Sequence, residues 1–278
     1  MQQANLQIAD PDLRNAIESF DGQTEVPESL VKVLETFAGE EGTGLSEAEL
    51  RAFRPRALSR AALAAASMPV VNRKVLGAVC KRLLEADLLE FDAPDLTMLA
   101  WALAVAKHRD AKVMDALGHQ VADRAWEFSG EDLAKMMFTF SELGFRHESM
   151  LTTVSMEVMW KIDQFSARSL SVIAASFANL NFWKEPTFEW IAARVIGRLE
   201  DYKPSELADV LSAFSRAMMR NQVLADAVAS EVARKGAQLG DEDLLRMVKA
   251  LARLGMAPRG VMQTLYHPHL VSVSGDPQ

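Results

Sequence analysis

The sequence predicts an all-helical protein, an α-solenoid of about six helix-turn-helix repeats, on the basis of three observations. Five blocks begin at residues 93, 130, 167, 204 and 241, always 37 residues apart. Each block carries two stretches in which apolar residues recur at helical spacing. The chain has 278 residues, of which 49% are hydrophobic, and this is enough for a large buried core. A fixed period of this length is typical of repeat proteins that stack helical pairs.

The first helix of each block, called here the A helix, has an apolar face at block positions 4, 7, 8, 11 and 14. Position 4 is leucine in all five blocks, and position 12 is always alanine or serine. Position 15 is suited to a left-handed residue that ends the A helix, and it holds Gly144, Asn181 and Gly255. Residues suited to capping the next A helix precede three blocks: Asp92, Ser129 and Ser166. A second helix, the B helix, follows in each block.

The pattern also predicts where the repeats begin and end. Residues 55–92 form a weaker first block, one residue longer than the others, as is common for terminal repeats. Residues 1–54 lack the period and hold 11 acidic against 4 basic residues, so we predict an acidic helical cap or docking segment. The repeat domain is expected to span 55–266, with its last B helix running only from about 259 to 266. Residues 267–278 are predicted to be an irregular tail.

The composition and the absence of known motifs exclude several classes of function. The single cysteine, Cys80, cannot form an internal disulfide, and no run of 18 apolar residues indicates a membrane span. The sequence contains neither of the common phosphate-binding loops, G-x-x-x-x-G-K-[ST] and G-x-G-x-x-G. It also lacks the hydrolase motif G-x-S-x-G and the metalloprotease motif H-E-x-x-H. The His267 and His269 pair has no carboxylate cluster nearby in sequence. We therefore predict no enzyme, no cofactor, no metal site and no small-molecule substrate.

Positions 2, 6, 9 and 13 of the A helices lie opposite the apolar face and are called here the outward stripe. The stripe holds six basic and four acidic residues, whereas the whole chain has a net charge of −8. Residues 55–278 are nearly neutral, so a strongly basic domain is excluded but a local basic track is not. Repeats that keep the same core residues but vary their outward residues are suited to recognising successive units of an extended ligand. The predicted RNA-binding residues are Trp101, Lys135, Phe138, Arg168, Asn179, Arg216, Arg246, Lys249 and Arg253.

A second interpretation of the stripe stays open, because charged residues opposite an apolar face occur on any solvated helix. Trp101 and Phe138 favour a binding surface, since large exposed aromatic side chains reduce solubility unless they stack on a ligand. It is equally consistent with the sequence that a neighbouring helix or the N-terminal segment covers these two side chains. The methionines lie mostly at core positions and are interpreted as packing residues.

Five A-helix phrases resemble a known class of organellar repeat: DLTMLAWALAVAK, DLAKMMFTFSELG, SLSVIAASFANLN, ELADVLSAFSRAM and DLLRMVKALARLG. They are similar to the octotricopeptide and heptatricopeptide repeats of algae, dinoflagellates and apicomplexans, which are related to the repeats of FAST-kinase-like proteins. The period of 37 is most similar to the heptatricopeptide class. The resemblance covers residues 93–258 well and 55–92 loosely.

This resemblance implies an RNA-binding solenoid in a mitochondrion or plastid, although the first twenty residues do not read as a transit peptide. The expected partner is single-stranded or ribosomal RNA, and the expected role is transcript maturation, translation or a place in a divergent mitochondrial ribosome. The alternative is a scaffold subunit of a large organellar complex that contacts other proteins and no RNA.

Overall fold

The computed structural model describes residues 54–68, 70–235 and 240–256, and this part of the chain holds eleven α-helices and no strand. The predicted cap at 1–54, except Arg54, lies outside the described residues, as do the last B helix and the tail. The helices are α1 (Pro55–Ser67), α2 (Arg73–Glu85), α3 (Ala93–Val105), α4 (Ala111–Arg124), α5 (Gly130–Glu142), α6 (Glu148–Trp160), α7 (Ala167–Asn179), α8 (Glu185–Gly197), α9 (Pro204–Arg216), α10 (Gln222–Lys235) and α11 (Asp241–Arg253).

The helix boundaries follow the period read from the sequence, which confirms the all-helical prediction. The A helices α3, α5, α7, α9 and α11 begin at the five predicted block starts. The B helices α4, α6, α8 and α10 also begin 37 residues apart. A short 3-10 turn follows α2, α4, α6 and α8, and these turns are Leu88–Glu90, Ala125–Glu127, Ile162–Gln164 and Leu199–Asp201. None of the described helices is long and apolar enough to cross a membrane.

Each of the five A helices ends in the same way, with a left-handed residue at block position 15. The sequence predicted three of these residues, and the structure adds Lys107 (φ 49°) and Met218 (φ 56°). In every block, the backbone N–H of position 16 donates to the carbonyl of position 11 at 2.9 Å, as His108 does to Leu103. These bonds satisfy carbonyls that a helix end would otherwise leave without a partner.

Substitutions at position 15 should change stability in opposite directions. We expect Met218→Gly to raise the free energy of unfolding by up to about 1 kcal/mol, because it relieves a left-handed side-chain conformation. Gly144→Ala should lower it by about 1 kcal/mol, although the added Cβ would meet nothing within 4 Å. Urea denaturation of both variants checks the pair, and equal signs would contradict a backbone origin for the effect.

The chain divides into two compact units, with the boundary between Met150 and Leu151 in α6. In the first unit α3 packs against α1 and α5, and α2 packs against α4. In the second unit α9 packs against α7 and α11, and α8 packs against α10. Successive A helices are therefore neighbours within each unit, and so are successive B helices.

The apolar face of each A helix forms the core of its unit. In the first unit Leu96, Leu103 and Phe140 are fully buried. In the second unit Phe177 is fully buried, and the rings of Phe188 in α8 and Phe214 in α9 pack in a T-shaped arrangement with centroids 5.1 Å apart. This burial leaves the opposite side of the A helices, which carries the outward stripe, as the side that meets solvent.

Candidate nucleic-acid interface

The outward stripe lies on the accessible side of the A helices in both units. All residues at block positions 2 and 13 of α3, α5, α7, α9 and α11 are exposed. Positions 6 and 9 are mostly half-buried, and only Phe138 and Lys249 among them count as exposed. The stripe therefore has exposed ends and a partly enclosed middle on each helix.

Equivalent stripe positions on neighbouring A helices contact each other. Three pairs of side chains that are 37 residues apart in sequence meet in this way: Trp101 with Phe138, Asn179 with Arg216, and Asp209 with Arg246. The first pair lies in the first unit, and the other two lie in the second unit. Within each unit, the stripe thus continues from one A helix to the next at the same block position.

In the first unit, the stripe is aromatic. The ring centroids of Trp101 and Phe138 are 5.4 Å apart with planes tilted by 37°, so each ring partly covers the other. Trp101 is half-buried, and Phe138 keeps 36% of its surface exposed. Lys135 is ion-paired with Glu131 at 2.8 Å, and a second acidic residue, Glu142, lies on the same stripe. This part offers an aromatic surface without surplus positive charge.

In the second unit, the stripe is basic. Across α7, α9 and α11 it holds five basic residues, against the acidic Asp209 and Glu242, which leaves a surplus of three positive charges. Four of the five cations are exposed: Arg168, Arg216, Lys249 and Arg253. The charge surplus read from the sequence is therefore concentrated in the second unit.

The cations of the second unit differ in their partners. The guanidinium of Arg246 donates to Asp209 and also contacts Asp243 at 3.4 Å. The hydrogen bond to Asp209 raises the pKa of Arg246 above its usual value, and the two carboxylates compensate its charge. Arg216 donates to the neutral amide oxygen of Asn179 and so keeps its net charge.

Three of the predicted RNA-binding cations have no ion-pair or hydrogen-bond partner for their side chains within the described part of the chain: Arg168, Lys249 and Arg253. A cation without a carboxylate partner keeps its full charge for a bound anion. A cation that is already paired with a carboxylate, such as Arg246, must give up that pairing before it can bind a phosphate. The partner-free cations are therefore the strongest candidates for contacts with a bound anion on this surface.

The structure brings together ligand-type side chains that the sequence analysis did not connect. Cys80 lies near His108 and Asp110, with their donor atoms within 4.8 Å of one another. Burial, with a smaller contribution from Asp110, raises the pKa of the Cys80 thiol to about 12. The thiol therefore stays protonated at neutral pH and is not an activated nucleophile.

Comparison with protein-family models found no match, and comparison with curated proteins found none either. The resemblance to heptatricopeptide and octotricopeptide repeats therefore stays a prediction from the five A-helix phrases. The first unit carries an aromatic stripe, and the second unit carries a basic stripe.

Proposed function

We propose that this chain is a non-catalytic α-solenoid that binds single-stranded RNA through the outward stripes of its two units. The observation that carries the proposal is the basic stripe of α7, α9 and α11, on a chain whose net charge is −8. A local surplus of three positive charges, on a repeat region that is nearly neutral overall, is the electrostatic pattern expected of a phosphate-binding face. The organellar setting, a mitochondrion or plastid, is proposed from the sequence resemblance.

The basic stripe suits the sugar-phosphate backbone. Phosphates on a single strand are bound chiefly by lysine and arginine, whose contacts displace counterions. Lys249 and Arg253 are both exposed on α11, four residues apart and therefore on one side of the helix. Arg216 is held by Asn179 without losing its charge. These three side chains would provide phosphate contacts across two adjacent A helices.

The aromatic stripe of the first unit suits the bases. Nucleobases stack on aromatic side chains with little dependence on sequence, at about 1–3 kcal/mol per base. The accessible part of the Phe138 ring, next to Trp101, provides such a surface. The absence of surplus positive charge around these two rings favours stacking over phosphate binding there.

The solenoid architecture is part of the proposal. It is supported by the constant 37-residue spacing of the helix starts and by the packing of each A helix against the A helix of the next block within a unit. In repeat proteins of this kind, the residue at one fixed position of each repeat contacts one unit of an extended ligand. Block position 9 changes from one repeat to the next, from Trp101 in the first to Lys249 in the last, as expected if each repeat contacts a different unit of the ligand.

Removal of the aromatic surface tests the base-stacking half of the proposal. Trp101→Ala should weaken binding of an unstructured RNA oligonucleotide by about 1–3 kcal/mol and leave the salt dependence unchanged. Fluorescence anisotropy at several salt concentrations measures both quantities. The matched control is Trp160→Ala, which removes a 73% exposed tryptophan from the end of the B helix α6. An equal loss in the control would mean that Trp101 does not lie in the RNA site.

A protein scaffold is the second candidate, and a different observation favours it. Four tryptophans outside the A helices are at least 48% exposed: Trp126, Trp160, Trp183 and Trp190. Exposed tryptophans are typical of protein interfaces, where they supply much of the binding energy. Purification of the full-length protein from its native organelle discriminates the two functions. RNA in the purified fraction supports the first candidate, whereas an RNA-free protein complex supports the second.

A further inference from the structure

Three ligand-type side chains converge at the start of α6 in the first unit. Asp115 and His119 lie one turn apart on α4, and His147 lies in the loop just before α6. Nε2 of His147 is 3.4 Å from Nδ1 of His119. Nδ1 of His119 is 3.7 Å from Oδ2 of Asp115, and Nε2 of His147 is 3.7 Å from Oδ1 of the same carboxylate. The three side chains thus point two imidazole nitrogens and a carboxylate at one small volume.

The position of His147 is determined by its surroundings. Its Nδ1 accepts a hydrogen bond from the backbone N–H of Met150 at 3.2 Å, so the residue caps α6. Its ring packs on Gly118 of α4, where an added Cβ would come within 2.6 Å of the ring carbons. The side chain is only 7% exposed, whereas those of Asp115 and His119 are 59% exposed. One buried ligand is therefore held in place while two accessible ligands face solvent.

The three side chains lie close enough together for one zinc ion to be bound between them after small side-chain movements. Zinc bonds of about 2.0–2.2 Å at tetrahedral angles place neighbouring donor atoms about 3.3–3.6 Å apart. The two nitrogens, 3.4 Å apart, fall within this range, and each lies 3.7 Å from a different oxygen of the carboxylate. One donor atom from each of the three residues lies within 4.8 Å of the other two. Two imidazoles and one carboxylate are also among the common protein ligand sets of Zn²⁺.

We propose that Asp115, His119 and His147 form a binding site for one Zn²⁺ ion. Three protein ligands leave a fourth position for water, and the exposure of Asp115 and His119 provides a path from solvent. An ion there would link α4 to the start of α6. The inference is independent of RNA binding, because none of the three residues lies on the outward stripe.

Two existing hydrogen bonds oppose the metal. His147 must ligate through Nε2 and therefore carry its proton on Nδ1, which ends the bond from Met150. Nδ1 of His119 lies 2.9 Å from the backbone carbonyl of Asp115, and it must also lose its proton to bind an ion. Burial and the neighbouring His119 lower the pKa of His147, which favours the neutral imidazole that a metal ion requires. For His147, binding thus requires its proton to be on Nδ1 rather than on Nε2.

The test is a zinc titration of the chelator-treated full-length protein, by competition with a chromophoric chelator. We expect one Zn²⁺ per chain in the wild type. Each of His119→Gln and His147→Asn should lower the affinity at least about 100-fold, since each removes one of three ligands. Asparagine at position 147 keeps an acceptor for the cap, as Asn221 does for Leu224 at the equivalent position of α10. Circular dichroism should show both variants folded.

The remaining histidines provide controls. His267→Gln with His269→Gln, and separately His108→Gln, should leave the zinc affinity unchanged. The proposal is overturned if the wild type binds no Zn²⁺ at micromolar concentration. It is equally overturned if His119→Gln binds as tightly as the wild type, or if the tail variant abolishes binding.

Gly118 offers a test of the packing that positions His147. We expect Gly118→Ala to lower both the zinc affinity and the thermal midpoint, because the new Cβ would displace the ring. Gly77→Ala in α2 is the matched control, since a Cβ there meets nothing within 4 Å. Alanine favours a helix over glycine, so the control should raise the midpoint. A raised midpoint in both variants would show that the His147 ring is not held against α4.

Discussion

Phe177→Ala is expected to lower the free energy of unfolding by about 3–5 kcal/mol. Phe177 is fully buried in α7, and its ring centroid lies 5.2 Å from that of Phe182. Truncation removes a large apolar side chain and leaves a cavity that the surrounding helices cannot fully close. Because α7 packs against α9, hydrogen exchange should accelerate in both helices.

Arg168→Ala is the matched control on the same helix. Arg168 is exposed at the second residue of α7, so its removal should change stability by less than about 0.5 kcal/mol. Urea denaturation of the two variants gives the comparison. A loss below about 1 kcal/mol for Phe177→Ala would mean that position 11 does not carry the core of its block.

Lys249→Ala combined with Arg253→Ala is expected to produce the largest change in RNA binding. If four cations of the basic stripe each neutralise one phosphate, log affinity should fall against log salt with a slope of about −3. The double variant should make that slope shallower by about 1.4, taking about 0.7 per phosphate on a single strand. Both side chains are exposed and extend from the surface of α11, so the protein should remain folded.

Two comparisons make the salt experiment specific. Arg73→Ala with Lys112→Ala removes two exposed cations from the B helices α2 and α4, and it should leave the slope unchanged. Arg246→Ala should change the slope less than Lys249→Ala, because Asp209 and Asp243 already compensate the Arg246 charge. A slope that changes equally in all variants would indicate a response to net charge alone.

The helices and their spacing could be predicted from the sequence because core positions constrain residue type most strongly. Leucine at position 4 and a small residue at position 12 identified the A helices, and the structure places their starts at the predicted residues. The left-handed ends at Lys107 and Met218 could not be predicted in the same way. There the paired backbone hydrogen bonds, rather than a glycine, hold the conformation.

The contacts between stripe residues could have been predicted from the sequence, whereas the proximity of Asp115, His119 and His147 could not. Asp209 and Arg246 share block position 6 and are 37 residues apart, so the period itself indicates their contact. By contrast, His147 is 28 residues from His119, and only the packing of its ring on Gly118 brings the two together. RNA binding by the stripe stays a prediction, because solvated helices also carry charged outward faces.

Cross-linking of single-stranded RNA to the full-length protein, with mass-spectrometric mapping of the linked residues, tests the central proposal most directly. The account predicts cross-links on the outward stripe, near Trp101 and Phe138 in the first unit and near Arg216, Lys249 and Arg253 in the second. The cross-links should weaken as salt rises. Cross-links confined to the B helices would contradict RNA binding by this surface. No cross-links at low salt would contradict RNA binding altogether and favour the protein scaffold.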